Sequence, residues 1–565
     1  MKHSKNKYYR LSGALMLLTL AVCAVPNVAL AFTEDMSVAQ RIANVLLPVG
    51  IWWLLLSLTR KIGKAVLWMF PVMFFGAFQL VLLSLYGRSV IAVDMFLNLV
   101  TTNAGEVGEL LGNMAGAIAM VCALYLPPIA GGIGACVKHW ALNDGFMRLN
   151  RRLSVCCIAV GLLAFGLGFA SSRPYRPLAD LYPLNVLYNV GLAVDRTARF
   201  GGYAEAVENY RFHSVCELPD SCRRTIVLVV GETSRADRWE AWGYERETSP
   251  GMAADTGYVY FRNTLSESNT THKSVPMLLS HLTADTFADS LYNVRSIVSA
   301  FDEAGYSTAF FSNQRYNHSF IDSYGFEADT CLFIKERDGA DHYDMELAGL
   351  LADRLQTDTA SRRLIVLHTY GSHFSYADRY PDSLAYFTPD RPLEATRENR
   401  QALDNAYDNS VRYTAMLLDS ITSALRHSGG ESALIYTSDH GEDIFDDSRN
   451  LFLHASPAPS AHQIYVPFIL WVSPELSATD GGLLKNARVN GNKQVSSSRS
   501  FFQTALHIGG ISAPVGDRTL SVADSGYTAP KRRYLNDHNE SVTLRGAGLR
   551  EQDLDYLSRR GVATE

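Results

Sequence analysis

The sequence predicts an α-helical membrane domain of five spans followed by an exported α/β domain, its sheet mostly parallel and sandwiched by helices. Three observations carry this prediction. The 565 residues, 47% hydrophobic and 19% charged, are too many for one ordinary domain and too apolar for a disordered chain. A mean hydropathy of −0.01 averages an apolar first third with a polar remainder. That remainder alternates short β-branched runs with helical stretches, the texture of a buried sheet covered by helices. The net charge of −6, from 51 Lys and Arg against 57 Asp and Glu, excludes nucleic acid as a partner, because such binders need a basic surface to displace counterions.

The membrane domain occupies residues 1–175. Five stretches without a charged residue, about 11–32, 42–58, 65–86, 110–137 and 153–172, approach or exceed the roughly 20 residues that cross a hydrocarbon core. Basic residues alternate with them. Lys2, Lys5, Lys7 and Arg10 precede the first, Arg60, Lys61 and Lys64 follow the second, and Lys138, Arg148, Arg151 and Arg152 follow the fourth. The positive-inside rule places these segments in the cytoplasm and everything after about Ser172 outside. Ala29-Leu30-Ala31 resembles a signal-peptidase site, but the first span is read as an uncleaved anchor, and cleavage leaves the remaining topology unchanged. Of the eight cysteines, only Cys216, Cys222 and Cys331 face the oxidising side. A Cys216–Cys222 disulfide is expected there, with Cys331 left over.

A linker with bridging helices is expected over 176–223, and the exported domain over 224–565. Its strands are read at 225–230, 307–311, 364–368, 433–437 and 466–472. Ligands bind at the carboxyl ends of strands in such sheets, and three strands run into metal-competent residues. The first ends in Gly231-Glu232-Thr233-Ser234-Arg235, the third leads to Gly371-Ser372-His373, and the fourth ends in Ser438-Asp439-His440-Gly441-Glu442. Each alone has an ordinary structural reading: a glutamate at a helix N-terminus, a solvated loop pair, or a hydrogen-bonded core histidine. Together, Glu232, His373, Asp439 and His440 on one sheet edge make a divalent-metal site, with zinc favoured by the imidazoles.

These motifs resemble those of the envelope phosphoethanolamine transferases of the alkaline phosphatase and sulfatase superfamily. The likeness lies in Val227–Arg235 followed by Gly243–Pro250, in Asn269-Thr-Thr271-His-Lys-Ser274-Val-Pro276, and in Ser438–Glu442 followed by His454-Ala-Ser-Pro457 and Val466-Pro467. The resemblance implies a periplasmic sulfatase-like catalytic domain beneath which five spans anchor the chain in the inner membrane. It implies Thr271 as nucleophile, three positions before Ser-Val-Pro, with Thr270 as competitor. It implies Glu232, Thr271, Asp439 and His440 as ligands of one tightly bound Zn2+, and His373 and His454 near the transferred phosphate, able to hold a second. His462 competes with His454.

The implied reaction is double displacement. Phosphatidylethanolamine donates phosphoethanolamine to Thr271, diacylglycerol leaves, and a lipopolysaccharide acceptor takes the group. A metal makes a threonine hydroxyl nucleophilic, and His373 is the first choice to protonate the leaving alcohol. Asn98, Thr102 and Glu106 recur every four residues on one helix face and are implied to meet the donor headgroup. Glu267 and Met277 stand where many relatives that modify lipid A have cysteines. Ser312-Asn313-Gln314 and the segment Tyr370–Pro381 are closer to relatives that modify the lipopolysaccharide core. Lipid A phosphate and a core sugar both stay open as acceptors. The competing functions are a glycerol-phosphate transferase of the lipoteichoic-acid-synthase type and, further off, a sulfatase-like hydrolase, which lacks its Cys or Ser nucleophile motif here. Residues beyond about Pro514 are expected to form a sheet-edge and tail element.

Overall fold

The structure is a computed structural model that describes residues 2–34, 36–86, 93, 115–171, 175–337 and 342–565. The described residues form two compact units. One holds those up to Val194 together with Asp447–Leu451; the other holds those of Asp195–Asp446 and Phe452–Glu565.

The first unit is helical. Its helices are α1 (Lys2–Thr33), α2 (Val38–Leu56), α3 (Ile62–Trp68), α4 (Phe70–Tyr86), α5 (Ala115–Val137) and α6 (Asp144–Gly168). Among the described residues four of them are long and apolar enough to cross a membrane, and α3 with α4, bent by 48°, meets the same length and composition only when taken as a pair. The bend departs from the continuous stretch expected over 65–86. Its cause is Pro71 at the second position of α4: proline has no N–H to donate to the preceding turn and its ring crowds the carbonyl there. The last span also starts earlier than expected, at Asp144, because Asn143 Oδ1 caps the helix by accepting from the N–H groups of Gly145 and Phe146. Helices α2 and α6 meet at small residues. A Cβ on Gly161 would lie 2.7 Å from Leu47 N, the close backbone approach typical of membrane helix pairs.

The second unit is built on a seven-stranded sheet. Its strands are β1 (Arg224–Gly231), β2 (Tyr258–Tyr260), β3 (Ser307–Ser312), β4 (Thr330–Phe333), β5 (Arg362–His368), β6 (Glu431–Ser438) and β7 (Phe468–Val472), in the spatial order β2-β7-β6-β1-β5-β3-β4. Every strand expected from the sequence is present. The five from β6 to β4 run parallel. β7 runs antiparallel to both β6 and β2, which makes the sheet mixed. β1 is buried along its whole length, as befits a central strand covered on both faces. Flanking helices include α7 (Thr271–Leu278), α8 (Arg400–Ser428) and α9 (Ser497–Ile508).

Register positions the functional edge. Gly231 pairs with Ser438, and Val230 pairs with both Thr437 and His368, so β1, β5 and β6 end level with one another. The next residues, Glu232, Thr369 and Asp439, emerge side by side. Two backbone bonds continue the ladder past the strands: Asp439 N donates to Gly231 O at 3.0 Å and Thr369 N donates to Val230 O at 3.0 Å.

The expected Cys216–Cys222 disulfide is absent, and all three cysteines of this unit are free thiols among the described residues. Cys216 is held by strand pairing with Ile511 and accepts from Arg362 Nη1 at 2.7 Å, while Cys222 Sγ donates to Glu431 at 3.2 Å. The segment beyond Pro514 is more than an edge. Arg532 is buried and donates to Asn263 O at 2.9 Å, and Tyr534 Oη donates to Asn269 Oδ1 at 2.7 Å. The tail therefore braces the loop that leads into Thr271.

The charged residues of the first motif form a buried ion network. Arg235, 1% exposed, donates to Asp237 at 2.9 and 2.7 Å and to both oxygens of Asp446 at 3.0 and 2.9 Å. Arg238, Tyr244 and Arg246 converge on Asp408 of α8. Arg235→Lys keeps the charge but loses the guanidinium fork, leaving buried carboxylate oxygens short of donors. We expect it to cost about 3 kcal/mol, read as a lower urea midpoint for the exported unit in the full-length chain.

Candidate active site

Four side chains meet at the level strand ends. Glu232 follows β1, Asp439 and His440 follow β6, and Thr271 opens α7. Glu232, Asp439 and His440 each offer one ligand atom within 4.8 Å of the others, and all three are buried. Thr271 Oγ1 lies 3.3 Å from each Glu232 oxygen and 3.1 Å from His440 Nε2. Thr270, the competing threonine, is the N-cap of α7, with its hydroxyl 3.4 Å from Ser268 Oγ. Thr271, and not its neighbour, has its hydroxyl against the ligand cluster.

Hydrogen bonds orient each ligand atom. His440 Nδ1 donates to Gly441 O at 2.9 Å, which leaves the Nε2 lone pair facing the cluster. Asp439 Oδ1 accepts from the backbone N–H groups of Thr233 at 3.0 Å and His440 at 2.7 Å. Its other oxygen, Oδ2, is buried and accepts no hydrogen bond among the described residues, although His440 Nε2 is 3.2 Å away. Burial, aided by the charge of Asp439, pushes Glu232 well above the ordinary carboxyl range. Burial also pushes Asp439 up to about 6, against the pull of its two backbone donors, and holds the His440 imidazole neutral, with the nearby His454 acting the same way. Two buried carboxylates, one with an unanswered oxygen, and a neutral imidazole form a donor set for a divalent cation. The residues fit a metal.

Backbone conformation supports this arrangement. Thr233 has φ of 60°, unfavourable for a β-branched residue. Three bonds impose it: its N–H to Asp439, its hydroxyl to Glu232 Oε1 at 2.7 Å, and its carbonyl accepting from Tyr407 Oη at 2.6 Å. Gly371, at φ of 54°, lies so close to Glu232 that an added Cβ would sit 2.5 Å from its carbonyl oxygen. Only glycine lets the loop after β5 close over the site, where Ser372 N donates to Glu232 O at 2.9 Å.

The loop also brings in His373. It lines the same pocket as Thr271, Glu232 and His454. The His440 and His454 rings are 4.1 Å apart, and those of His454 and His373 6.1 Å. His373 and His454 thus stand beside the ligand cluster, outside its three members. His373 Nδ1 donates to Phe374 O at 2.7 Å, and burial with the neighbouring His454 pushes its pKa down to about 3. It is neutral at physiological pH, in contrast to the near-neutral pKa expected of an imidazole that protonates a leaving group. His462 is elsewhere: its Nδ1 accepts from Arg235 at 2.7 Å in the buried ion network.

Other contributors carried no sequence signal. Asp344 accepts from the N–H groups of Tyr370 and Gly371, each at 2.8 Å, and so fixes the start of the His373 loop. Arg315 and Asn317 line the pocket. Glu442, the last residue of a motif already visible in the sequence, places Oε2 3.4 Å from His454 Nδ1. Glu267 pairs with Arg499 at 3.1 Å and accepts from Ser498. Asn98, Thr102 and Glu106 lie outside the described residues.

Comparison with known proteins places the fold. The phosphatidylethanolamine transferase Mcr-1 of Escherichia coli is 27% identical over 85% of this chain and 93% of its own length. The chain spans 59% of YhbX of Escherichia coli, at 28% identity. Among solved structures, the integral membrane lipooligosaccharide phosphoethanolamine transferase A of Neisseria meningitidis superposes with a TM-score of 0.69 at 20% identity, covering 91% of this chain and 98% of that one. The periplasmic domain of EptC from Escherichia coli, solved in complex with zinc, gives 0.54 at 23% identity, covering 60% and 97%. The sulfatase family matches residues 224–511, a stretch that contains every side chain of the site, and the chain belongs to that family.

Proposed function

We propose that the protein is a zinc-dependent phosphoethanolamine transferase of the inner membrane with its catalytic domain in the periplasm. It moves phosphoethanolamine from phosphatidylethanolamine to a lipopolysaccharide acceptor, a lipid A phosphate or a core sugar, through Thr271. The observation that carries this reading is the Thr271 hydroxyl at a helix start, 3.1 Å from His440 Nε2 and 3.3 Å from both Glu232 oxygens. The names of Mcr-1 and of the Neisseria enzyme support the transferred group, and the zinc complex of EptC supports the metal.

Glu232, Asp439 and His440 would hold the zinc, whose Lewis acidity lowers the pKa of the Thr271 hydroxyl and offsets charge on the phosphoryl oxygens. In the first half-reaction, Thr271 Oγ1 bonds to phosphorus as the glycerol oxygen–phosphorus bond breaks. The threonine proton ends on that glycerol oxygen, and diacylglycerol leaves. In the second, the acceptor oxygen bonds to phosphorus, the Thr271 oxygen–phosphorus bond breaks, and a proton returns to Thr271. His373, which lines the same pocket as Thr271, is the residue we assign to pass the proton from the attacking oxygen to the leaving one. Its Nδ1–H bond to Phe374 O keeps Nε2 as the working nitrogen. Asn98, Thr102 and Glu106 keep their assignment to the donor headgroup.

Thr271→Ala should keep its zinc, measured by inductively coupled plasma mass spectrometry, and lose at least about 10³-fold in transfer from phosphatidylethanolamine. In wild type, intact-protein mass after exposure to donor alone should show one added phosphoethanolamine on Thr271. An unchanged rate in Thr271→Ala would remove the covalent route. Asp439→Asn should lower zinc affinity by about 100-fold, read by competition with a chromogenic chelator. His373→Ala should retain zinc and lower kcat by about 10²-fold.

A further inference from the structure

His454 sits on strained backbone. The residues on either side of it, Leu453 and Ala455, both have φ of 63°. That left-handed conformation is unfavourable for any residue with a Cβ and persists only where its surroundings over-determine it. Two buried amide side chains hold the segment. Gln463, 1% exposed, donates through Nε2 to Leu453 O at 3.3 Å and to Asp443 Oδ2 at 2.7 Å. Asn269, two residues before Thr271, donates through Nδ2 to Ser456 O at 2.9 Å, and its backbone oxygen accepts from Ala455 N at 3.2 Å. The two amides also bond to each other: Asn269 Nδ2 donates to Gln463 Oε1 at 2.6 Å, where Ser456 Oγ joins at 3.1 Å.

The same pair reaches the other parts of the site. Gly441, next to His440, donates its N–H to Gln463 O at 2.9 Å, and Tyr534 Oη donates to Asn269 Oδ1 at 2.7 Å. Every polar atom of both side chains is therefore answered. The orientation of each amide is fixed as well, because the carbonyl oxygens of Ser456 and Leu453 can only accept. A fully satisfied buried network is rigid. Neither side chain is part of the pocket lining, so neither meets the reacting groups. Resting on the transfer reading above, we propose that Asn269 and Gln463 are positioning residues whose amide pair clasps the nucleophile loop to the His454 segment. The clasp sets Thr271 Oγ1 against His454 across the pocket. Such orientation counts in the rate, since a misplacement of about 1 Å costs on the order of 10²-fold.

The test uses the full-length chain in detergent micelles. Asn269→Asp keeps the shape and the acceptor for Tyr534 but has no donor for Gln463 or Ser456. Gln463→Met keeps length and packing without the amide. Each should lower kcat per zinc-loaded enzyme about 10²-fold in transfer from phosphatidylethanolamine, with the donor KM within about twofold. Because the pair acts as one unit, the double variant should be no slower than the slower single variant. A merely structural role would instead reduce the amount of zinc-loaded enzyme and leave its kcat unchanged. A second measurement needs no variant: in hydrogen exchange read by mass spectrometry, the Ala455 and Gly441 amides of wild type should exchange as slowly as those of β6. An unchanged kcat in both single variants, additive losses in the double variant, or fast exchange at Ala455 in wild type would each overturn the proposal. Failure of wild type to transfer would instead overturn the transfer reading, and the exchange measurement then decides the clasp by itself.

Discussion

The site depends on the register of three parallel strands. β1, β5 and β6 end level because Val230 faces both Thr437 and His368 across the ladder. That register sets Glu232 beside Asp439, a juxtaposition of two carboxylates that a protein interior resists. A slip of one residue would turn every side chain of a strand to the opposite face and separate the pair. The fully buried β1, with its apolar run Ile226–Val230, fixes the register through packing on both faces, so the hydrophobic core acts at a distance on the chemistry.

Holding two carboxylates together also requires that their surroundings cannot relax. Asp439 Oδ1 is occupied by two backbone donors, so its second oxygen is the one turned into the cluster. Thr233 is held at positive φ by bonds to both carboxylates and to Tyr407 of α8. Behind it, Arg235 ties the same turn to Asp237 and Asp446. Strain at a single residue is of order 1–3 kcal/mol and persists only where neighbours over-determine it. Two of the three hydrogen bonds that impose the strain also hold a carboxylate of the cluster, so the rigidity of the turn and the preorganisation of the site are linked.

Much of this is legible in the sequence because it is local. A β-branched run followed by Gly-Glu or Ser-Asp-His marks a strand and its polar end, whereas Thr271 is singled out only by the family resemblance, three positions before Ser274-Val-Pro276. What escaped was set by contacts distant in sequence. The direction of β7 depends on pairing with β6 and β2, and its apolar run reads the same in either direction. The break at Met69 needed Pro71 to be weighed against an otherwise continuous apolar stretch. Asp344 supports the His373 loop from 26 residues away, and Tyr534 supports Asn269 across 265. The partners of Arg235 in the buried ion network, Asp446 above all, lie far from it in sequence. The low pKa of His373 follows from burial and from the proximity of His454, and neither can be read from the residues around position 373.

The floor and the wall of the pocket are built on different principles, and the difference bears on specificity. Floor residues are fixed by backbone donors and strand register, so a substitution there disturbs the whole Glu232–Asp439–His440 cluster. The wall from Gln314 onward follows the end of β3 and is a loop whose outward positions, Tyr316 and His318, touch neither Thr271 nor a ligand atom. Such positions can change without cost to the chemistry. Discrimination between acceptors is a difference in binding free energies and does not require a change in the reacting groups. A fixed floor and a separate wall allow the groups around the cavity to vary while the cluster at the strand ends is kept.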